Sequence, residues 1–463
     1  MTATVGVRTS RAAPEPAPAR RRRASDRAFV VIVVIAANAA VTLGLWLRHG
    51  ELSAMSGAGG VAIAAGQLTA LAGTYAVLVQ LLLMARVPWL ERRIGLDRLA
   101  VWHRWLGFAV VWLLVGHTAL TTLGYAQSVH VSVVAQTRDF IAHYPDVLMA
   151  FIGLGILLAV GISSVRAARR KLSREAWYSI HLYAYLAVAL TFAHQLAVGT
   201  DFSEDRVARL WWIALYVAVF GSILWWRVGW PLRFNARHAL RVRDVRREIP
   251  GVVSIYLTGR RLAELDVQSG QFFLWRFLTR DRWWKAHPFS LSAAPTKRGL
   301  RITVKDLGDD SGSLPDVPKG TRVFAEGPYG TFTEERRSLR KVLLIAGGIG
   351  ITPLRALLAT IAADPGDVTL LYRAVSAEDV IFRSELADIG DRRGVTIHAL
   401  LGSEIGDDQP DQLGIPAITA LVPDVLTRDV FVCGPPGLVD AVRRRLRHIG
   451  VPHAQIHFER FEF

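Results

Sequence analysis

Cysteine is almost missing from this 463-residue chain: only Cys433 occurs. One cysteine excludes an intrachain disulfide framework and any zinc or iron–sulfur site built from several thiolates. EF-hand loops are missing as well, which argues against calcium gating. The basic runs carry no interleaved aromatic reading motif, so a net charge of +16 does not point to nucleic acid. Charge itself is scarce over much of the first half. Six apolar runs, near 28–47, 61–85, 105–124, 147–165, 176–198 and 209–228, approach the ~30 Å of a hydrocarbon layer.

The chain's length accommodates about two to four folding units. Residues 1–27, rich in Ala, Pro and Arg, read as a disordered basic tail. Residues 28–230 read as a six-span membrane domain. Beyond residue 233 the text changes to the charged, Gly- and Pro-punctuated alternation of a soluble α/β protein. Arginines gather in ARRRR (19–23), in RVPWLERRIGLDR (86–98), in RAARRKLSR (166–174) and after the sixth run, while the segments between carry few. By the positive-inside rule both termini are cytoplasmic, and part of the excess charge is placed to attract anionic lipid. The first run, with its basic flank and AANAA, has the look of a cleaved signal peptide. Five further spans and an even orientation count favour an uncleaved helix.

WHRWLGFAVVWLLVGH (102–117) and HLYAYLAVALTFAH (181–194) place histidines at both ends of apolar runs. An ionisable group within a membrane is functional by default. Spans three and five run in the same direction, so His103 and His181 lie near the inner face and His117 and His194 near the outer. Spacings of 14 and 13 residues correspond to about 21 and 20 Å of helix. Two histidines facing each other across a bundle suit the axial positions of a haem iron. Zinc would want further ligands, and no cysteine or carboxylate stands beside them. On an ideal helix, fourteen residues return to within about 40° of the same face but thirteen leave the side chain about 140° away. His49, His130 and His143 show no ordered spacing and read as solvated loop residues.

In the soluble half, QSGQFFLWRF (268–277) reads as a strand and HPFSLSAAP (287–295) as a loop fixed by Pro288 and Pro295. Ser290 and Ser292 there suit a ring edge or a phosphate. RITVKDLG (301–308), containing Lys305, reads as a strand. DDSGSL follows, with Gly312 and Ser313 small enough for backbone amides to approach a pyrophosphate. KVLLIAGGIGITPLRALLATI (341–361) is an apolar strand running into Gly347, Gly348 and Gly350 before Thr352–Pro353 opens a helix. That turn offers close backbone approach and a helix N-terminus to a pyrophosphate. Its spacing, GGxGxTP, departs from GxGxxG, and an ordinary tight βα turn reads the same way. DVTLLYR (367–373) ends in Arg373, where an arginine accommodates a 2′-phosphate and favours NADPH, with NADH as the alternative. DVFVCGPPGLVDAVRRRL (429–446) sets Cys433, Gly434 and Pro435 at a strand end. Cys433 stands there either beside a nicotinamide or as a small buried residue.

With these residues assembled, the chain resembles the ferric reductase/NADPH oxidase superfamily over essentially everything after residue 27. The resemblance implies two b-type haems held on spans three and five, His103 with His181 and His117 with His194, with the same unequal spacings. It implies an FAD-binding β-barrel over 233–335 and an NAD(P)-binding α/β domain over 338–463. His287, Pro288, Phe289 and Ser290 stand at the flavin motif, GGIGITP at the nucleotide pyrophosphate motif and CGPP at the nicotinamide motif, with terminal Phe463 covering the flavin ring. The implied activity is electron transfer from cytoplasmic NADPH through FAD and two haems to an outer-side acceptor, oxygen or ferric chelate, across a bacterial plasma membrane. Departures bear on the acceptor: Thr121 stands where animal NADPH oxidases carry a further histidine, and the outer loop 199–208 is short. The alternatives are reduction of a membrane quinone or a periplasmic partner protein, and a non-catalytic haem-binding subunit.

Overall fold

A computed structural model describes residues 20–48, 57–199, 202–203, 205–308, 311–402 and 411–461. Most of the expected basic tail, His49 and Phe463 lie outside the described residues. The chain divides into two compact units, one of them Arg27–Leu232 and the other containing everything from Arg233 onward.

The first unit is helical: α1 (Arg20–Arg48), α2 (Gly57–Leu83), α3 (Leu96–Ser128), α4 (Val147–Ser164), α5 (Arg174–Ala197) and α6 (Arg206–Leu224). Shorter helices occur between them, among them Val133–His143. Five helices, α2 to α6, are long and apolar enough to cross a membrane; in α1 the qualifying apolar part is the shorter Ile32–Arg48. The count therefore stands at five among the described residues, against six expected. Helices form because their backbone groups must be satisfied internally in lipid. Ser173 and Asp205 cap α5 and α6 by accepting from the first-turn amides of Ala176 and of Val207 and Ala208. α2 packs along α3, and α4 along α5. A Cβ on Gly66 of α2 would collide with Thr121 of α3, so glycine is what lets these two helices approach.

The second unit begins with two three-stranded antiparallel sheets. One has the order β1 (Arg241–Ile249), β2 (Val252–Thr258), β5 (Leu300–Lys305); the other β4 (His287–Ser290), β3 (Phe272–Phe277), β6 (Val323–Tyr329). Both face one core that includes Ile255, Phe273, Trp275, Ile302 and Val323. Next comes a five-stranded parallel sheet ordered β11 (Ile456–Arg460), β10 (Arg428–Gly434), β7 (Lys341–Gly347), β8 (Val368–Ala374), β9 (Thr396–Leu401). β7 reads almost wholly apolar because it is covered on both faces. Val342, Leu344 and Ala346 join the core beneath α7 (Ile351–Thr360) and α8 (Arg383–Arg393). Leu343 and Ile345 join the core beneath α9 (Pro436–Ile449). Strand order runs one way from β7 to β9 and the other way from β10 to β11. The reversal puts a crevice at the carboxyl ends of β7 and β10, where such sheets bind ligands.

Candidate functional site

The membrane unit places four of its histidines on two helices. His103 on α3 and His181 on α5 face each other with ring centroids 5.9 Å apart and planes tilted by 60°. Two imidazoles binding one metal from opposite sides, each nitrogen about 2 Å from it, place their ring centres about 6 Å apart. His117 and His194 line one cavity of about 240 Å³ with Thr118, Thr121, Gln195 and Tyr216.

Neighbouring groups determine which nitrogen each ring presents. His103 Nδ1 lies 3.2 Å from the Gln80 carbonyl and His117 Nδ1 2.9 Å from the Gly66 carbonyl. A carbonyl only accepts, so each Nδ1 carries the hydrogen and each Nε2 keeps a lone pair. His181 Nδ1 sits at a longer 3.5 Å from Ser164 Oγ. That oxygen donates to Val160 and receives the Trp177 indole, so it too acts as acceptor. Trp177 packs on the His181 ring at 4.9 Å. His194 Nδ1 is buried with no partner in hydrogen-bond geometry among the described residues. The nearby Thr191 carbonyl accepts instead from Gln195 Nε2 at 2.8 Å, and Gln195 Oε1 takes the Trp212 and Tyr216 donors. Gln80, Gly66, Ser164, Trp177 and Gln195 form this surrounding layer, and none of them stood out in the sequence. His130 and His143 lie outside both pairs; His143 meets Asp139 at 2.8 Å on an exposed helix.

In the sheet-rich unit, β4 carries His287 and Phe289 on one face, their rings stacked 5.7 Å apart and nearly parallel. Trp275 Nε1 donates to the Phe289 carbonyl and holds the strand to β3. The two rings make a half-exposed shelf, Pro288 points away to solvent, and Ser290 is buried. Ser292 is fully buried: its hydroxyl accepts from Thr303 at 2.7 Å and from Arg301 at 3.2 Å, so it serves the interior of the fold. Lys305 is exposed at the end of β5. Gly312 lies against Asp306, 2.9 Å from where a Cβ would be, and Arg282 donates to the Ser313 carbonyl, so this turn folds back onto the end of β5.

The two glycine turns meet at the strand-order reversal. A Cβ on Gly350 would overlap the Cys433 carbonyl, and one on Gly434 would lie 3.3 Å from the Gly347 backbone. Gly348 takes φ +53°, in the left-handed region that favours glycine. Thr352 and Pro353 are buried, and the Thr352 hydroxyl donates to the Ile349 carbonyl at 3.0 Å. They shape the turn from inside. Arg373 pairs in register with Gly347 at the end of β8, half-buried, and forms no ion pair among the described residues. Pro435 is exposed at the start of α9. Cys433 is fully buried beside Phe431 and Ile351; burial, aided by Glu459, pushes its thiol well above the usual range and keeps it protonated. The Phe461 amide donates to the Gly434 carbonyl at 3.3 Å, bringing the last described residue to this crevice.

Residues 69–192 match the family described as ferric reductase like transmembrane component, and residues 344–444 the oxidoreductase NAD-binding domain. The flavohemoprotein of Vibrio cholerae is 32% identical over 43% of this chain and 52% of its own. NADH-cytochrome b5 reductase 1 of Candida glabrata is 31% identical over 36% of this chain and 65% of its own. The solved FAD/NAD-binding domain of a Vibrio cholerae nitric oxide dioxygenase is 27% identical, covers 48% of this chain and 98% of its own, and gives a TM-score of 0.39. The chain spans about half to two-thirds of the length of the curated relatives it matches. It joins a ferric-reductase-like transmembrane domain to an FAD/NAD-binding module of the ferredoxin-reductase type, the architecture of the ferric reductase/NADPH oxidase superfamily.

Proposed function

We propose that this protein carries electrons from cytoplasmic NADPH to an acceptor on the outer side of a bacterial plasma membrane, with FAD and two b-type haems as carriers. The acceptor is oxygen, giving superoxide or peroxide, or a ferric chelate. The observation that carries the reading is the histidine geometry: two pairs on the same two helices, with Nδ1 of His103 and His117 fixed by carbonyls and the Nε2 lone pair left for a metal. A metal ligand whose other ring nitrogen is held this way has its tautomer and orientation set. Among the described residues there is no group of three or more His, Cys, Asp or Glu that could hold a metal by side chains alone. Two histidines per site fit an iron whose other four positions belong to a macrocycle.

Haem, when bound, supplies one-electron redox chemistry, and FAD links it to the two-electron chemistry of the nicotinamide. The remaining work belongs to the chain. His103 with His181 and His117 with His194 hold the two irons. His287, Phe289 and Ser290 seat the flavin in a barrel domain over 233–335, while Lys305, Gly312 and Ser313 meet its phosphates. The turn of Gly347, Gly348 and Gly350 admits the nucleotide pyrophosphate in a domain over 338–463, and Arg373 selects the 2′-phosphate of NADPH over NADH. Gly434 and Pro435, with Cys433 buried behind them, border the nicotinamide, and Phe463 covers the flavin. Six spans, counting α1, leave both termini cytoplasmic.

The test is an anaerobic stopped-flow experiment on purified protein. NADPH should bleach the flavin first and then produce reduced b-type bands; flavin bleaching without those bands refutes the relay. Oxygen, ferric chelate and quinone, offered separately, then identify the acceptor.

A further inference from the structure

The flavin strand and the nucleotide turn lie in different domains, and hydride transfer needs their ligands' reacting atoms about 3–3.5 Å apart. Something must hold that spacing. Glu334 reaches across near the domain boundary, accepting from the Ala362 amide at 2.8 Å, but one carboxylate links the two domains next to both cofactor motifs. Glu385, on α8, receives both arms of the Arg301 fork, Nη1 to Oε1 at 2.7 Å and Nη2 to Oε2 at 3.0 Å. Its Oε2 also meets Arg355 Nη2 at 2.7 Å. Arg301 belongs to β5 of the first domain, whereas Glu385 and Arg355 belong to the second.

Each end leads toward a cofactor motif. Arg301 donates through Nη2 to the Ser292 carbonyl at 2.9 Å and through Nε to its hydroxyl, while its own carbonyl receives the Ser292 amide at 2.8 Å. Ser292 lies two residues beyond Ser290, the end of the HPFS strand. Arg355 stands on α7, one turn after the glycine turn that opens that helix. The Arg301 guanidinium also lies over the Phe382 ring at 4.6 Å, and Phe382 takes a left-handed φ of +62° at the entry to α8. Burial favours a neutral Glu385, but its two guanidinium partners outweigh it and hold the carboxyl below its ordinary range. Arg301 is 5% exposed and Arg355 15%, while Glu385 is 32% exposed, so the pairs are shielded from solvent on the guanidinium side and partly open on the carboxylate side.

We propose that Glu385 is a positioning residue, a carboxylate clasp that ties the flavin strand to the nucleotide helix and sets the distance for hydride transfer. It touches neither cofactor motif itself and acts through Arg301 and Arg355. The proposal rests on the NADPH-to-FAD reading above.

The test uses full-length protein loaded with FAD and follows flavin bleaching against NADPH concentration under anaerobic conditions. Glu385→Gln keeps the volume and removes the charge. Its limiting reduction rate should fall about tenfold, since a misplacement near 1 Å costs up to about a hundredfold. FAD content should match the parent and the NADPH dissociation constant should stay within about twofold. Glu385→Asp, which restores a carboxylate, should recover part of the rate. Arg355→Met cuts only the link to α7 and should slow reduction in the same sense, which keeps the test available if Glu385→Gln does not fold. A lower melting temperature with parental reduction rates in either variant overturns the proposal and leaves a structural ion pair. If the parent itself is bleached by neither NADPH nor NADH, the functional reading fails and the clasp falls with it.

Discussion

The two units of this protein put the same residue types in opposite places. In the parallel sheet, Val342 to Ala346 are 0% exposed, whereas on α3 Trp105 and Trp112 are 71% and 72% exposed. Water drives the first group inward, and a lipid surround removes that drive for the second. The helical unit keeps an apolar core of its own, including Leu78, Val110 and Trp212, but it also encloses a polar minority: His117, His194, Gln195 and several threonines around one cavity. In the sheet unit, chemistry moves instead to strand ends, where backbone turns rather than side chains make the approach. A functional signal in lipid is thus an interior polar side chain, and in water it is a glycine at a sheet's edge.

The largest expected effect separates the halves. His117→Ala should remove one of two haems, read as Soret absorbance per protein. It should also slow electron delivery beyond the flavin by at least about a hundredfold, the scale on which even ligand-supporting groups act. Flavin bleaching by NADPH should be unaffected; unchanged haem content would remove the ligand assignment.

Next comes one added methyl in each environment. Gly350→Ala should cost about 1–3 kcal/mol in thermal unfolding and weaken nucleotide binding, because the new Cβ overlaps the Cys433 carbonyl. Gly66→Ala should cost less within that same range of about 1–3 kcal/mol, since the Thr121 hydroxyl it meets first can rotate and the Thr121 backbone it meets next, at 3.0 Å, is less crowded than the Cys433 carbonyl. Equal or reversed costs would show that the helix contact is as unyielding as the sheet turn.

A smaller effect concerns selectivity. Arg373→Gln should cut the preference for NADPH over NADH about tenfold, the worth of one charge-assisted hydrogen bond, in steady-state kcat/KM. A preference that does not move would detach Arg373 from the 2′-phosphate. Smallest of all, Trp105→Leu should change stability by less than about 0.5 kcal/mol. A larger loss in detergent would mean that this face of α3 is covered by protein rather than lipid.

Much of the fold could be read from residue order. The apolar runs, the strand–turn–helix of 341–361 and the alternation that places Val342 and Leu343 on opposite faces are local patterns, and local patterns survive folding. α1 is legible in the same way, an uncharged apolar run behind four leading arginines. The histidines announce themselves through their cost in an apolar segment. Their supports do not: the Gln80 and Gly66 contributions are carbonyl oxygens, which every residue has. Glu385 was equally silent, since a charged residue on a soluble helix is ordinary until Arg301 and Arg355 arrive from elsewhere in the chain. Ser292 shows the converse, a residue whose type and position suggest a ligand contact but whose hydroxyl is used by Thr303 and Arg301.

The carbonyls on α2 have a further consequence. Gly66 and Gln80 are fourteen residues apart, the same interval that separates His103 from His117 on α3. Both intervals span about 21 Å and return to nearly the same face, so α2 acts as a ruler laid against α3, graduated in backbone oxygens. The two acceptors are backbone oxygens, so residue type matters here only where α2 must lie close to α3, as at Gly66. One residue inserted between 66 and 80 would turn one carbonyl by about 100° relative to the other, and only one ring would keep its acceptor. α5, with its interval of thirteen, has no matching scale, and there His194 Nδ1 has only the Thr191 carbonyl of its own helix nearby, outside good hydrogen-bond geometry, among the described residues. Register is kept on one rail of the pair, by a helix that supplies no ligand.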